Sequence, residues 1–316
     1  MSTGPNGYKQ TGYRSLGKLN TTSITFGWWN TSLAPKGISR NCNKTRAHAK
    51  DILSYLIFAN RADFIALGET SEEDFEFLRS ASDFEGYSFA SGTSNNSTLK
   101  FDTCYIYNPE RLSVSDPENI ISIKGTKKLK IAQRLEVRIA ACNSIINIFA
   151  SHWPSRLWCE QNHADRDVLG IRLRDEIDAL IEDSQRPPHI ILLGDYNDEP
   201  FSDSLSEQLM ASRDISLVRS RPHLLYNPYW NILGNGRCGS LPHGGSYFYN
   251  KGRHTRWHTF DQIIYSHAFI TANTWKLSQT SAHLAEVPGL SELILSSKSK
   301  IDHIPVIGTI ERAIKS

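Results

Sequence analysis

The chain has 316 residues, of which 39% are hydrophobic and 22% are charged. This is the composition of a folded globular protein, and it excludes a disordered or fibrous chain. A chain of this length buries enough apolar surface to fold without disulfide staples. The formal net charge of +2 is too small to indicate nucleic-acid binding by itself. It excludes no such function either, because local patches of charge decide that binding.

The cysteines and the absence of apolar segments predict a cytoplasmic protein. The chain has five dispersed cysteines and no CxxC pair, namely Cys42, Cys104, Cys142, Cys159 and Cys238. An odd, scattered set is typical of reduced thiols rather than of a disulfide framework or a zinc site. The first twenty residues lack the apolar segment of a secretory signal. No apolar run approaches the length that crosses a bilayer, so we expect no membrane association.

Composition also predicts how the chain is divided. Residues 1–20 are rich in Gly, Ser, Thr and Asn, which is typical of a flexible leader. After residue 20 there is no low-complexity linker and no internal repeat. We therefore predict a single domain over residues 21–316.

In chain order, apolar and β-branched runs predict strands, and apolar residues at helical spacing predict helices. The predicted elements are a strand at 23–29, a helix at about 45–60, strands at 62–69 and 103–108, a hairpin at 131–150, a helix at about 161–183, a strand at 189–195 and a strand within 258–266. Strands and helices alternate along the chain. This pattern favours a mixed α/β domain.

Side chains suited to metal or phosphate chemistry recur where an apolar strand is predicted to end. They are Asn30, Glu69, His152, Asp195 with Asn197, Asp261, and Asp302 with His303. Taken singly, Glu69 is more simply explained as a solvated acid and His152 as a core or turn histidine, and Asp302 could be a helix cap. The Asp195–Asn197 segment is the stronger signal, although it could also form a tight turn. Strands that end in this way can gather their polar side chains into one crevice at the edge of a sheet. The recurrence therefore predicts a functional site.

The segments that carry these residues form an ordered series. They are WWN, FIALGE, SHWP, LLGDYND, FDQII and DHIP, spread over most of residues 23–306. The series resembles the signature segments of the endonuclease/exonuclease/phosphatase superfamily, in its DNase I-like and exonuclease III-like branches. The resemblance implies an α/β four-layer sandwich, in which two packed mixed β-sheets are flanked by helices. It also implies Mg²⁺ or Mn²⁺ as cofactor and in-line attack of water on phosphorus.

The resemblance further implies roles for individual positions. Glu69, Asn30 and Asp302 match the metal positions of the superfamily, and oxygen ligands of this kind suit Mg²⁺. Asp195 matches the residue that orients and deprotonates the attacking water. Asn197 would hold a phosphate oxygen or position Asp195.

Two histidines match phosphate-contacting positions. His303 would act as a general base or as a cation at the phosphate, with Asp261 fixing its tautomer. His152 matches the second histidine of the DNase I-like branch. The nearest candidate for its acidic partner is Asp102.

Basic and aromatic residues predict where the substrate binds. Arg156 could make a forked phosphate contact. A second group precedes Asp261 and consists of Lys251, Arg253, Arg256 and Trp257. Such a mixture of cations and rings suits phosphate neutralisation and base stacking. A third group, for which a solvated hairpin tip is the favoured interpretation, consists of Lys124, Lys127, Lys128 and Lys130.

The leading functional hypothesis is a Mg²⁺- or Mn²⁺-dependent phosphodiesterase, most specifically a DNA endonuclease. Its expected partner is nucleic acid, with DNA favoured, and no protein partner can be inferred. One alternative is a phosphomonoesterase or small-molecule phosphodiesterase of the same superfamily. Another is an inactive binding or scaffold homologue, which is disfavoured because every catalytic position holds a competent residue. A serine hydrolase is set aside, since the chain has no nucleophile elbow.

Overall fold

The structure is a computed structural model that describes residues 21–33, 43–94, 99–234, 244–271, 274–278 and 282–313. The predicted leader at 1–20 lies outside the described residues. Within them, the cysteines Cys104, Cys142 and Cys159 form no disulfide. The helices of the described part are all too short or too polar to cross a membrane.

Strands dominate the chain and occur in every part of it. In chain order they are β1 (Thr21–Asn30), β2 (Phe64–Gly68), β3 (Ser88–Ser91), β4 (Cys104–Tyr107), β5 (Leu112–Val114), β6 (Glu118–Lys124), β7 (Lys127–Ile139), β8 (Ser144–His152), β9 (Ile190–Asp195), β10 (Ala211–Ser212), β11 (Leu225–Tyr226), β12 (Tyr247–Phe248), β13 (Trp257–His258), β14 (Asp261–Ser266), β15 (Lys276–Leu277), β16 (His283–Leu284) and β17 (Val306–Ala313).

Helices lie between the strands. The α-helices are α1 (Asn43–Phe58), α2 (Glu72–Arg79), α3 (Ala164–Glu182), α4 (Ile215–Ser220), α5 (Ala268–Thr271) and α6 (Leu290–Leu295). Single turns of 3₁₀ or π helix occur at Ser82–Phe84, Ser204–Gln208 and Pro228–Asn231.

The strands pair into two large mixed sheets. Among the described residues, the first sheet has seven strands in the order β15-β17-β1-β2-β4-β3, with β16 also paired to β17. The second has eight strands in the order β10-β11-β14-β9-β8-β7-β5, with β6 also paired to β7. A separate small hairpin is formed by β12 and β13. Both sheets contain parallel and antiparallel pairs, which follows from the alternation of hairpins and helical crossovers.

Alternating side chains of the central strands build three hydrophobic layers. In β1, Trp28 faces the second sheet, whereas Trp29 faces the helices on the opposite side. In β9, Leu193 lies in the core between the sheets and Leu192 packs toward α3. Successive side chains of a strand point to opposite faces, so a strand covered on both faces is apolar throughout. The run of residues that ends at Asp195 is apolar because both faces of β9 are covered.

These layers give the order helix, sheet, sheet, helix. Helices α1 and α2 cover the outer face of the first sheet, and α3 covers the outer face of the second. The core between the sheets draws residues from both of them. The α/β four-layer sandwich expected from the resemblance is confirmed.

Candidate active site

The directions of the strands bring the predicted site residues to one edge of the sandwich. Strands β1 and β2 run parallel, as do β8 and β9, so their carboxyl ends share an edge in each sheet. Those ends carry Asn30, Glu69, His152 and Asp195. Strand β14 is antiparallel to β9, and its first residue, Asp261, lies directly opposite Asp195.

The sequence-based placement of three residues needs a correction. Asp261 begins β14 instead of following a strand, and Asp302 and His303 precede β17. Because β17 runs antiparallel to β1, the start of β17 lies at the edge where β1 ends. These residues therefore reach the same crevice as Asn30, but by entering a strand and not by leaving one.

Asn30 links the two sheets at the centre of the crevice. Its side-chain nitrogen donates to Asp195 Oδ2 at 3.1 Å and to Glu69 Oε1 at 3.3 Å. Its side-chain oxygen accepts from the backbone N–H of Ser32 at 3.1 Å. Asn30 belongs to the first sheet and Asp195 to the second, so this hydrogen bond holds the two halves of the site together.

The oxygen atoms beside Asn30 have the chemistry of a site for a hard cation. Ser32 Oγ donates to Asp302 Oδ1 at 2.7 Å, which places Asp302 next to the Asn30–Glu69 pair. Carboxylate and amide oxygens are the protein ligands that Mg²⁺ takes. Glu69 and Asp302 thus fit the metal role expected of them. In this arrangement it is the amide nitrogen of Asn30 that faces the carboxylates, so metal contact through Asn30 stays a prediction.

A second cluster contains Asp195, Asp261 and His303. One side-chain ligand atom from each lies within 4.8 Å of the others. His303 Nδ1 is 2.7 Å from Asp261 Oδ2, and His303 Nε2 is 3.8 Å from Asp195 Oδ2. The second oxygen of Asp261 accepts a 2.8 Å hydrogen bond from the indole N–H of Trp28. Asp261 is therefore fixed from both sides.

The charges in this cluster suit acid–base chemistry. Burial alone would lower the pKa of His303, but the carboxylate of Asp261 and, more weakly, that of Asp195 raise it to about 10. A histidine in this state carries protons on both ring nitrogens and brings a positive charge to the crevice. Burial, reinforced by the charge of Asp261, raises the pKa of Asp195 to about 6. That carboxyl is therefore a better proton acceptor than an ordinary aspartate.

The loop after β9 shapes the floor of the crevice. The backbone N–H of Asn197 donates to Asp195 Oδ1 at 2.8 Å, and its side-chain nitrogen donates to the carbonyl of Trp153 at 3.0 Å. Asn197 thus orients Asp195 through its backbone. Its side chain ties this loop to the loop after β8.

His152 has a carboxylate partner of its own. Its Nδ1 lies 2.8 Å from Asp102 Oδ2, and the other oxygen of Asp102 accepts from Lys130 Nζ at 2.6 Å. Burial would raise the pKa of Asp102, but His152 and Lys130 outweigh it and hold that pKa well below its usual range. Burial would lower the pKa of His152, and Asp102 raises it above its ordinary value. The sequence named Asp102 as the nearest candidate for this partner, and the structure joins the two.

Three residues of the site adopt a left-handed backbone conformation. Ser32, Glu69 and Asn197 have φ angles of 56°, 50° and 52°. Each follows the end of a central strand. Residues other than glycine are uncommon in this conformation, and those that adopt it cluster at functional sites.

Arg156 lies beside the crevice but is held by protein groups. Its Nε donates to the carbonyl of Asn197 at 3.0 Å, and Nη1 donates to Gln161 at 3.2 Å. The guanidinium lies over the ring of Phe260, 4.5 Å from the ring centre. These contacts hold the Arg156 side chain against other protein groups at the side of the crevice. A forked contact to phosphate stays a prediction.

The group before Asp261 is only partly brought to the site. Lys251 lines a groove that also contains Asp302. Arg253 and Arg256 are exposed on the β12–β13 hairpin. The ring of Trp257 packs 4.9 Å from that of Phe248, against the core beneath α1. The structure thus does not bring Trp257 to the crevice as a stacking surface.

The lysine group lies on the β6–β7 hairpin. Lys124 and Lys127 both form ion pairs with Asp165 at the start of α3. Lys127, Lys128 and Lys130 also line a groove that reaches Glu69 and His152. Lys124, Lys127 and Lys128 lie at the hairpin tip, as in the favoured interpretation. Lys130 does not fit it, because its side chain is only 15% exposed and pairs with Asp102 beside His152.

Sequence reasoning missed a cavity next to the site, which we name the aromatic cavity. It has a volume of about 340 Å³, and its walls include Arg156, Asn197, Tyr247, Tyr249, His258 and Phe260. The ring centre of Tyr247 lies 4.6 Å from that of His303. The run of aromatic residues before Asp261 was the only available signal, and it does not reveal which rings face outward.

Comparison with known proteins agrees with this geometry. The model of the endonuclease/exonuclease/phosphatase family matches residues 81–298. This chain belongs to that family. Its members are hydrolases that act on phosphoester bonds, and they generally depend on a divalent metal ion. A search of curated proteins finds no match.

Solved structures of similar fold are distant in sequence. The catalytic domain of human Nocturnin, with bound sulfate, is 16% identical, with 92% of this chain and 96% of that chain covered and a TM-score of 0.59. A mannosyl-6-phosphatase from Bacteroides thetaiotaomicron is 11% identical over 91% and 98% of the two chains, with a TM-score of 0.59. TDP2 from D. rerio, complexed with a single-strand DNA product, is 16% identical over 92% and 99%, with a TM-score of 0.56. At these identities the likeness concerns the fold alone.

Proposed function

We propose that this protein is a Mg²⁺- or Mn²⁺-dependent phosphodiesterase that hydrolyses nucleic acid, with DNA as the favoured substrate and internal bonds as the favoured points of cleavage. The observation that carries the proposal is the hydrogen bond from Asn30 to Asp195. It joins the oxygen-rich cluster at Glu69 to the acid–base cluster at His303. Hydrolysis of a phosphate ester needs both kinds of group around one phosphorus atom.

The protein groups have complementary roles in the proposed reaction. Asp195 accepts a proton from the attacking water while the water oxygen bonds to phosphorus. The bond from phosphorus to the leaving oxygen breaks on the opposite side, and that oxygen takes a proton from solvent. His303, held as a cation by Asp261, neutralises charge on the phosphoryl oxygens. His152, oriented by Asp102, contributes a second positive charge.

The metal would be held by Glu69 and Asp302, with Asn30 orienting Glu69 through its side-chain N–H. A bound divalent ion screens the phosphate charge and stabilises the leaving oxyanion. Ser32 fixes Asp302 through its hydroxyl, so the carboxylate is oriented before the ion binds. Such preparation of a ligand by a neighbouring hydrogen bond raises metal affinity.

The grooves beside the crevice support a polymeric substrate. The lysine-lined groove approaches from the side of Glu69 and His152, and the groove with Lys251 approaches from the side of Asp302. A phosphodiester backbone lying across the crevice would meet Lys128 on one side and Lys251 on the other. Neutralisation of several phosphates by Lys and Arg is the main source of affinity for DNA.

The first experiment is cleavage of supercoiled plasmid by the purified protein with Mg²⁺ or Mn²⁺, and with EDTA. We expect nicked and then linear DNA in the presence of metal. The Asp195→Asn and His303→Gln variants should be slower by about 10²–10⁴-fold, the usual effect of removing a catalytic base or a charge-stabilising group. Asp175→Asn is the matched control, because Asp175 is an exposed aspartate of α3 paired with Arg172.

Cleavage that survives both site variants would point to a contaminating nuclease. The absence of cleavage of plasmid, single strands and RNA by a folded, metal-loaded protein would overturn the nuclease proposal. Raised ionic strength gives an independent check. Activity on DNA should fall steeply with salt, whereas activity on a small ester depends on it much less.

A second candidate function is a phosphatase or phosphodiesterase acting on a small molecule. The aromatic cavity favours it, because a cavity of about 340 Å³ beside His303 has the size of a pocket for one small ligand. Comparison of kcat/KM for plasmid and for small aromatic phosphate esters separates the two candidates.

A further inference from the structure

The loop after β8 presents two large apolar side chains to solvent at the rim of the crevice. Leu157 is 82% exposed and Trp158 is 84% exposed, the highest fractions among the large hydrophobic residues that the structure describes. Both follow Arg156, whose Nε donates to the carbonyl of Asn197 in the loop after β9. Neighbouring apolar side chains that face water beside a site mark a contact surface.

The backbone that carries this pair is held from within the protein. Arg166, in the first turn of α3, is 1% exposed and donates to the carbonyls of Pro154 and Cys159 at 2.9 and 2.6 Å. The backbone N–H of Trp158 donates to the carbonyl of Ser155 at 3.0 Å, which closes a turn inside the loop. Hydrogen bonds from a charged donor are the stronger kind. The exposure of the two side chains is therefore a property of the folded loop and does not come from fraying.

Trp158 belongs to the lysine-lined groove, which is a different space from the aromatic cavity. The groove lies between the β6–β7 hairpin and the loop after β8, and it extends to His152 and Glu69. Its volume is about 350 Å³, at the small end of ligand pockets, so it has room for one nucleotide unit and not for a duplex. Leu157 lines the spaces on the other side of the loop. Trp158 is thus the exposed aromatic ring of this groove.

One lysine of the groove has its charge available for a ligand. Lys127 pairs with Asp165, and Lys130 pairs with Asp102. Lys128 lies between these two lysines on β7, is exposed, and forms no ion pair within the part of the chain that the structure describes. A cation beside an exposed indole suits a nucleotide, because the phosphate takes the charge and the base takes the ring.

A single strand of nucleic acid fits this groove better than other anionic partners do. The bases of a duplex are stacked and paired, so a duplex offers Trp158 only sugar and phosphate. An anionic lipid surface also attracts tryptophan and lysine together. Such a surface is flat and meets projecting side chains, whereas Trp158 and Lys128 line one concave space that leads to His152. A flexible strand with unstacked bases can enter that space.

On these grounds we propose that the lysine-lined groove binds single-stranded nucleic acid that flanks the cleavage site, with Trp158 stacking on one base and Lys128 neutralising one phosphate. The inference rests on the proposed nuclease function. It makes the loop after β8 the feature that distinguishes a polymeric substrate from a small ester. Stacking accepts every base, so the groove selects for a continuous unpaired strand and not for a sequence.

Equilibrium binding measures the contribution of Trp158 without catalysis. The probe is a fluorescein-labelled deoxythymidine strand of about twelve nucleotides in EDTA, followed by fluorescence anisotropy. We expect Trp158→Ala to weaken binding about tenfold, the usual effect of losing one stacked base, and Trp158→Phe to retain most of the affinity. Phe58→Ala is the matched control, because Phe58 is a 60% exposed aromatic residue at the end of α1, away from the crevice.

Salt dependence separates the ring from the charge. For single strands, the logarithm of the binding constant falls with the logarithm of the salt concentration by about 0.7 for each phosphate neutralised. Lys128→Gln should therefore reduce the slope by about 0.7, and Trp158→Ala should leave it unchanged. Lys276→Gln is the control, because Lys276 is an exposed lysine of β15. The same change of slope in the Lys128 and Trp158 variants would show a disturbed groove and overturn the two assigned roles.

Cleavage assays connect the groove with the reaction. In Trp158→Ala we expect KM for a single-stranded oligonucleotide to rise about tenfold with little change in kcat, because the ring contacts the substrate away from the reacting atoms. The same variant should cleave bis(p-nitrophenyl) phosphate with kcat/KM within about twofold of wild type. A fall in kcat/KM for the small ester as large as that for the strand would show a merely structural role for Trp158.

The possible outcomes separate this inference from the proposed function. Unchanged affinity and unchanged KM in Trp158→Ala, with wild type cleaving DNA, would overturn the strand-binding groove and leave the nuclease function standing. Binding of the strand that depends on Trp158, by a protein that cleaves no nucleic acid, would overturn the nuclease function and leave the groove as a binding site.

Sedimentation with vesicles tests the rival partner. The vesicles contain phosphatidylcholine and phosphatidylserine in equal parts, and we expect no binding of the protein to them at the salt concentration at which the strand binds. Binding to these vesicles that is lost in Trp158→Ala, without binding of the strand, would overturn the assignment to nucleic acid in favour of a lipid surface.

Discussion

Replacement of Asp102 by asparagine tests whether His152 contacts the substrate as a cation. Asp102 contacts His152 with one oxygen and Lys130 with the other, at 2.8 and 2.6 Å. Asparagine keeps the shape of the side chain and removes its charge. Two unit charges about 4 Å apart, at an effective dielectric constant of about 20, interact by about 4 kcal/mol, which corresponds to about three pKa units.

Part of this effect is cancelled in the protein. Burial lowers the pKa of His152, Asp102 raises it, and the positive charge of Lys130 opposes Asp102. In the variant Lys130 stays close to His152 without the carboxylate between them. We therefore expect the pKa of His152 to fall in the variant, because the group that raises it is lost.

The sign of the change in activity follows from the charged state. A step that needs the imidazolium form is fully active below the pKa of His152 and is lost as the pH rises through it. In Asp102→Asn the alkaline limb of kcat/KM should therefore move to lower pH. The assay is a pH profile of cleavage, with the pKa of His152 followed separately by the NMR signals of its ring.

Asp63→Asn provides the matched control for this experiment. Asp63 is a buried carboxylate paired with Arg111, and it precedes β2, at the end opposite to Glu69. Its replacement should leave the alkaline limb in place. If NMR shows a lowered pKa for His152 in Asp102→Asn while the alkaline limb does not move, His152 does not act as a cation in the reaction.

Three other predictions concern stability and metal dependence. Gly194→Ala would bring a Cβ against the backbone carbonyl of Ser151 in β8, so we expect a loss of about 1–3 kcal/mol in urea unfolding and reduced turnover. Leu173→Ala in the buried face of α3 should lower the unfolding free energy by about 2–5 kcal/mol. Leu157→Ala, at a side chain 82% exposed, should change it by less than about 0.5 kcal/mol. Similar values for the two variants would contradict the assigned burial. EDTA should abolish hydrolysis and added Mg²⁺ or Mn²⁺ should restore it; full activity after exhaustive chelation would contradict the metal role.

The sequence predicted those elements whose burial imposes a clear pattern. The strands that end at Asn30 and Asp195 are apolar on both faces, and each is found within a few residues of its predicted bounds. The hairpin of β7 and β8 is also confirmed, with its turn at residues 140–143. By contrast, β6 was missed. Only Ile120 of its seven residues is buried, so β6 depends on pairing with β7 and not on a buried face.

Site residues that directly follow a strand could be predicted from the sequence. Contacts between side chains of different loops were much harder to predict. The pairing of Asp102 with His152 joins residues 50 positions apart, and that of Glu199 with His258 joins residues 59 apart. Neither leaves a periodic trace in the sequence. The first was suggested by the resemblance to the superfamily. The second has no counterpart in any motif and appears only when the chain is folded.

The left-handed conformations of Ser32, Glu69 and Asn197 bear on attempts to make this protein more robust. Each such residue costs roughly 1–2 kcal/mol relative to a right-handed one, and glycine escapes that cost. A selection for heat resistance alone would therefore favour glycine at these positions. The substitutions would remove the hydroxyl that holds Asp302, the carboxylate intended for the metal and the side chain that anchors the loop after β9. At these three positions glycine would raise thermal stability and lower turnover. Engineering for stability must therefore leave the three residues unchanged if activity is to be kept.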